Sequence, residues 1–457
     1  MSRKKIALIA TLSTVWPTIA TPQAGGGGLQ VDLGFETSLT ADDNFQLAPR
    51  SPGSSWIWDN RLNFAISNAT PNQNLNVTGS GVLRFADFPG RSTTGFEDPQ
   101  IRFSYSVDSR NSRLTVDARY RNVDREFLNP FQVEQEEQNS GGLYAGGGSV
   151  RFINYGLRYE TGLNAPFGMS FSLRRDEKNF SNVTNPRLFD STTDTAGVTA
   201  RFDVSPVTQV TANALQTWYS AEDLAQTDRE TLDLSLGLRQ DVNPSLVLDA
   251  RLGYTTIDET RFGGPRNRSG ATGSFGLTQA LPNGDVSGSI STTQDVNGSR
   301  TTLQFGRTIE MPRSTLSGSV GLSRGDSGST DWIARVAYNY QLQTSSFSAS
   351  LTRTAATNSL DEDVLDTRIS LGYGYEVSTV SRINVDVNYG LSEDAGAGSA
   401  PTVKRTDITA AYTRELTQDW NLRGGVTIRD LNDSSAAGRA RSNAVFLSLG
   451  RSFSFRP

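Results

Sequence analysis

Neither histidine nor cysteine occurs among the 457 residues. The usual general base, the usual zinc ligand and the thiol nucleophile are therefore missing. Gly325-Asp326-Ser327-Gly328 has the look of a serine-protease nucleophile segment. No triad can be assembled around Ser327 without a histidine, and Gly, Asp and Ser are also turn formers. Arg324-Gly325-Asp326 matches an adhesion tripeptide, a match short enough to recur by chance. The acidic runs Asp42-Asp43, Glu134 to Glu137, Asp361 to Asp363 and Glu393-Asp394 do not have the spacing of a calcium loop. No enzyme, metal or cofactor is expected. What remains is charge: four Lys among 43 basic residues, 48 acids and a net charge of −5. That balance argues against a nucleic-acid partner.

The elements that carry these charges have a period of two. Leu29, Val31, Leu33 and Phe35 alternate with Gln30, Asp32, Gly34 and Glu36. Leu232, Leu234, Leu236 and Leu238 alternate with Asp233, Ser235, Gly237 and Arg239. Ile383, Val385, Val387 and Tyr389 alternate with Asn384, Asp386 and Asn388. Each run predicts a half-buried strand with one apolar and one polar face. Ahead of the first run, Ser2-Arg3-Lys4-Lys5, the apolar stretch Ile6 to Val15, and Ala20 and Ala24 have the layout of a cleaved export signal. The expected organisation is a signal over residues 1–24, a glycine linker over 25–28, and one β domain over 29–457.

Connections add a second rhythm. Short turns at Thr70–Asn74, Asp108–Ser112, Asp241–Pro244, Met311–Ser314 and Val377–Val380 alternate with longer polar segments. Those segments include Asp42–Ser55, Val123–Gly148, Arg175–Asp194, Thr256–Arg268 and Ser392–Thr402. This predicts an all-β, transmembrane, up-and-down antiparallel β-barrel with one rim in the periplasm and the other outside. Counting runs gives about 22 strands (20–24), roughly 9–13 residues each. The parity is disturbed near Phe152–Ile153 and Ala212–Leu215, where a bulge is expected. A solenoid would need a shorter fixed repeat. A sandwich would not keep this alternation over 400 residues. The first strand begins near Leu29, so no N-terminal plug is expected. The last strand carries Val445, Leu447, Leu449, Phe453 and Phe455, the shape of an outer-membrane assembly signal.

Parity also divides the side chains. Trp56, Trp58, Tyr120, Tyr159, Trp218, Tyr254, Tyr338, Tyr340, Tyr373, Tyr375, Tyr389 and Tyr412 fall outward, as interface girdles would. Expected on the lumen wall are Arg84, Arg102, Arg119, Arg158, Arg201, Arg239, Arg251, Arg335, Arg368 and Arg423. Asp117, Asp233, Asp249 and Asp386 join them, in a face where Arg outnumbers acid by roughly two to one. Such an excess predicts either structural salt-bridge ladders along the wall or a passage mildly favouring anions. In the longest loop, Glu134, Glu136 and Glu137 are candidates for a constriction.

Two stretches carry a family likeness: Thr40-Ala41-Asp42-Asp43-Asn44-Phe45-Gln46-Leu47-Ala48-Pro49, and the hairpin of residues 228–254, echoed at Asp194–Ala214. The chain resembles the β-barrel porin families of proteobacterial outer membranes, including members encoded near exopolysaccharide genes. The resemblance implies location in the Gram-negative outer membrane, with diffusion or polysaccharide export as the role and no catalytic residue. Expected partners are outer-membrane lipid, lipopolysaccharide and the barrel assembly machinery, with a periplasmic polysaccharide-export partner under the second role. The leading expectation is passive diffusion of small polar solutes. The rivals are a polysaccharide conduit and an adhesive surface protein acting through its loops.

Overall fold

The computed structural model describes residues 28–131, 147–326, 328–358, 361–395, 401–434 and 438–456. The strands in the first half are β1 (Gly28–Asp42), β2 (Ser55–Ala69), β3 (Gln73–Phe88), β4 (Arg91–Asp108), β5 (Ser112–Asp124), β6 (Ser149–Thr161), β7 (Phe167–Ser181), β8 (Ser191–Ser205), β9 (Thr208–Ala221), β10 (Thr227–Asn243) and β11 (Leu246–Thr260). The second half adds β12 (Arg266–Leu281), β13 (Gly284–Asp295), β14 (Gly298–Met311), β15 (Ser314–Gly325), β16 (Thr330–Gln341), β17 (Ser345–Thr357), β18 (Asp363–Ser378), β19 (Ser381–Asp394), β20 (Val403–Glu415), β21 (Trp420–Asp433) and β22 (Gly438–Phe455). A single 3₁₀ turn, Arg125–Phe127, follows β5.

Each strand pairs antiparallel with its sequence neighbours, and β1 also pairs with β22, from Val31 opposite Phe455 to Asp42 opposite Ala444. The ring is closed at 22 strands. Turns after even-numbered strands are tight, such as Pro206-Val207 and Pro282-Asn283. Gly284, in the second of these, has φ +127°, and a Cβ there would lie 2.1 Å from the Thr308 carbonyl oxygen, so only glycine fits. The other rim holds the long connections. Several of its connections, among them 89–90 between β3 and β4 and 296–297 between β13 and β14, are as short as the turns, so the alternation of lengths is not strict.

The register shifts at Ser80/Val82, Asp203/Ser205, Asp241/Asn243 and Glu376/Ser378. The bulges expected near Phe152–Ile153 and Ala212–Leu215 are not there: the ladders run unbroken through both stretches. Phe152 disturbs the pattern because it points inward, packing with Val123 and Val150 in a small buried cluster. Leu215 points inward opposite Gly197, while Gln216 faces outward beside Leu232.

Opposite residues in an antiparallel pair share a face. The outer face is therefore traceable around the whole ring, and it is apolar. On β10, Leu232, Leu234, Leu236 and Leu238 stand 38 to 64 % exposed, and across from them on β11 Leu252 is 77 % exposed. A continuous belt of this kind needs lipid or detergent to cover it. Tyr338 and Tyr340 stack near the tight-turn rim with Phe347 beside them, and Trp58 stacks on Phe85 toward the other rim. Among the described residues, no helix is long and apolar enough to cross a membrane, and no plug domain is present. Placing a charge in mid-belt, Leu236→Arg, should cost about 2–4 kcal/mol in denaturant unfolding from lipid vesicles. The inward Ser235→Arg should cost far less; equal costs would contradict this assignment of faces.

Candidate functional site: the lumen wall and its outer mouth

The inner face carries all fourteen candidates. Arg84 lies opposite Asp59, Arg102 opposite Arg119, and Asp117 opposite Gly156. Arg158 sits opposite Thr115, and Arg201 opposite Gly168. Asp233, Arg239, Asp249 and Arg251 share this face on β10 and β11. Arg335 and Arg368 both flank Thr352 across β16 to β18. Asp386 lies opposite Gly372, and Arg423 opposite Thr413. Most alternate with outward apolar neighbours, as Arg84 does with Leu83 and Phe85; Gln240 beside Arg239 and Thr367 beside Arg368 are polar exceptions.

Most of these charges are held by near neighbours. Arg84 donates from Nε and Nη2 to both Asp59 carboxylate oxygens at 2.8 and 2.7 Å. Arg158 reaches Glu160 at 3.1 Å, and Arg239 reaches Asp249 at 3.3 Å. Arg201 donates to the Gly162 and Ala165 carbonyl oxygens, and Arg251 to the Ser235 hydroxyl at 2.8 Å. Thr255 donates to Asp233. The guanidinium of Arg423 lies 5.5 Å from the Phe446 ring. The arginine fork suits this work because it meets a carboxylate with two parallel hydrogen bonds.

The register corrects the expected charge ratio. It adds Asp59, Glu97, Asp176, Glu259, Asp295, Asp331 and Asp366 to the inner face, so acids and basic residues there are close to equal in number. Asp176 had a local signal: like Arg405/Asp407, Arg158/Glu160 and Arg201/Asp203, the pair Arg174/Asp176 is spaced i, i+2, which keeps both partners on one face about 7 Å apart, within reach of an arginine. From β12 to β17 much of the inner wall is Ser, Thr and Gly, with Ser274, Ser289, Gly306, Ser319, Gly321 and Ser348 facing in beside the charged Asp295, Asp331 and Arg335.

The outer mouth is narrowed from one side by two connections. After β1, Phe45 and Leu47 turn inward; after β5, Phe127, Pro130 and Phe131 do the same. Phe45, Phe88 and Phe127 form one aromatic cluster with Ile57 and Ala86. The Arg84 guanidinium carbon lies over the Phe127 ring, 3.3 Å from its centre. Leu47 and Phe131 pack on Val403, Leu431 and Ala440, from β20, β21 and β22. Arg368 of β18, nine strands round the ring from β5, donates to the Pro130 carbonyl oxygen at 3.2 Å. Glu126 pairs with Arg91; burial pushes its carboxyl above the usual range, and the arginine only partly offsets this. The base of this longest loop thus forms a strap inside the barrel. Glu134, Glu136 and Glu137 lie outside the described residues.

Burial separates the pairs by strength. The side chains of Arg405 and Asp407 are 8 and 6 % exposed, those of Arg239 and Asp249 54 and 52 %. Arg405→Ala should destabilise the barrel by about 3–5 kcal/mol, because it strands a buried carboxylate. Arg239→Ala should cost under about 1 kcal/mol. Denaturant unfolding of the two variants in parallel checks this ordering.

No family model matches the chain, and no curated protein matches it. Solved structures do. The chain is similar to the siderophore receptor PirA from Pseudomonas aeruginosa, at 10 % identity and TM-score 0.53, over 94 % of this chain and 81 % of that one. It is also similar to the FrpB iron transporter from Neisseria meningitidis, at 8 % identity and TM-score 0.61, over 94 and 82 %. The ferric-catecholate import receptor Fiu from E. coli aligns at 9 % identity and TM-score 0.60, over 94 and 82 %. At such identities the likeness carries the fold alone: the 22-strand barrel of outer-membrane receptors and transporters.

Proposed function

We propose that the chain is an outer-membrane channel through which small polar solutes diffuse passively, narrowed at its outer mouth by the strap of the β1–β2 and β5–β6 connections. The observation that carries this reading is the pairing of an apolar outer belt with an inner face of arginines and carboxylates that hold one another. Passage follows size and hydrogen bonding, with no chemical step and no cofactor. The near-equal inner charges support weak ion selectivity rather than the anion preference expected from arginine alone.

A polysaccharide conduit would be served by inward aromatic platforms, since sugar rings stack on them. Among the Tyr and Trp of the described strands only Tyr219 has the inward register, and it lies under Arg229, 5.4 Å from ring centre to guanidinium. The aromatic placement therefore favours diffusion over polysaccharide export. Outer-membrane lipid and lipopolysaccharide are the natural partners of the belt. The outward Phe453 and Phe455, paired with Leu33 and Val31 at the closing seam, suit recognition by the barrel assembly machinery.

Reconstitution into planar bilayers tests the reading. The expected result is stable conductance with a cation-to-anion permeability ratio within about threefold of unity. An adhesive protein acting through its loops would give no conductance. Deleting residues 130–145 should raise single-channel conductance by about twofold or more; an unchanged value would remove the strap as the constriction.

A further inference from the structure

Opposite the strap, a second group of residues crosses the mouth by a different kind of contact. Asp361 and Glu362 lie just before β18. Asp361 has φ +58°, and its N–H donates to the Asn358 carbonyl oxygen at 3.0 Å. The Asn358 side chain braces Glu362, accepting from its N–H at 3.0 Å and donating to its carboxylate at 2.9 Å. Both carboxylates then engage arginines from the far wall. Arg187, on the β7–β8 connection ten strands round the ring, grips Glu362 with both Nη atoms at 2.9 and 3.1 Å. Arg229 of β10 donates to Asp361 at 2.8 Å, and Arg261, just after β11, pairs with the other Asp361 oxygen. Asn297 holds the Asp361 carbonyl oxygen at 2.8 Å.

Among these arginines and the carboxylates they contact the charges balance, and the adjoining Arg300 and Asp363 form a pair of their own. Arg187, Arg229 and Arg261 bring three positive charges. Glu259, with its side chain only 2 % exposed, pairs with Arg229 and Arg261 and cancels one of them. The remaining two are matched by Asp361 and Glu362. Burial raises the Glu362 carboxyl, but hydrogen bonds from Arg187 and Asn358 and the Arg187 charge pull it below the usual range, so it stays ionised. No residue among 358 and 361–362 belongs to the apolar clusters that fix the strap. The contacts across the mouth are ion pairs and hydrogen bonds, which a competing ion can replace.

We propose that Arg187, Arg229 and Arg261 form a binding site for a doubly charged oxyanion at the outer mouth, and that Asp361 and Glu362 occupy it as tethered carboxylates. While they do, Asp361 and Glu362 lie across the opening. A free oxyanion such as phosphate, carrying the same two charges on oxygens, takes their place. This inference rests on the reading of the barrel as a channel.

The test uses the full barrel in planar bilayers with inorganic phosphate as the probe. Closure of each variant is checked by its shift in gel mobility on boiling. Asp361→Asn with Glu362→Gln should raise conductance in KCl by about twofold. Millimolar phosphate should then lower that current saturably, by about half, as it fills the vacated site, and leave the parent protein much less affected. Adding Arg187→Gln to the double variant should remove the phosphate response. Equal conductance of parent and double variant, or an equal phosphate effect on all three proteins, overturns the site and leaves the channel standing. Absence of conductance from all three overturns the channel reading and this inference with it.

Discussion

A backbone that crosses lipid cannot leave an N–H or a C=O without a partner, since no water is there to supply one. Every other feature of this barrel follows from that requirement. It forces the ring to close, so β1 must find β22 as well as β2. Closure fixes one parity around all 22 strands, because each ladder hands its register to the next. Once parity is fixed, each side chain is assigned either to lipid or to lumen. The negative mean hydropathy of −0.41 stops being a paradox, because only every second strand residue needs to be apolar.

The lumen side of that division has its own constraint. A ring of this circumference encloses space that side chains from the wall alone do not fill. The chain deals with it unevenly. On the side of β1 to β5 and β20 to β22, aromatic and aliphatic residues from two connections fold in and build the main apolar clusters inside the barrel. Across the mouth from them the contacts are ionic. The two halves differ in what can disturb them: the first depends on excluding water, the second on which charges are present. A permanent narrowing and an exchangeable one can then coexist in the same opening.

Much of this was legible in the residues. Alternation gave the strand count, the inner face and the outward aromatics, because a period of two is a local property that tertiary context seldom overrides in a membrane wall. Two things were not legible. Phe152 and Leu215 read as bulges because an inward apolar residue mimics a register slip; only a three-dimensional partner, Val123 and Val150 for Phe152, distinguishes the cases. The meeting of Arg187 with Glu362 joins positions 175 residues apart, and nothing in local spacing connects them. The acids of the inner wall lie between these extremes. Asp176 and Asp407 announce themselves two residues from an arginine, whereas Asp59 finds Arg84 only through the β2–β3 register.

Many arginine–carboxylate pairs of the inner wall, such as Arg174 with Asp176 and Arg84 with Asp59, are local, either two residues apart on one strand or directly across one ladder. A pair of that kind is a self-contained unit: its charge, its hydrogen bonds and its footprint on the wall are settled without reference to the rest of the ring. Exchanging a whole pair for serine and glycine, which make up much of the β12–β17 wall, leaves neither a stranded ion nor a broken ladder. The lumen of such a barrel can be rewritten pair by pair while the lipid-facing half of every strand stays as it is. Chains of one architecture can therefore diverge in what they admit until little of their inner sequence is shared.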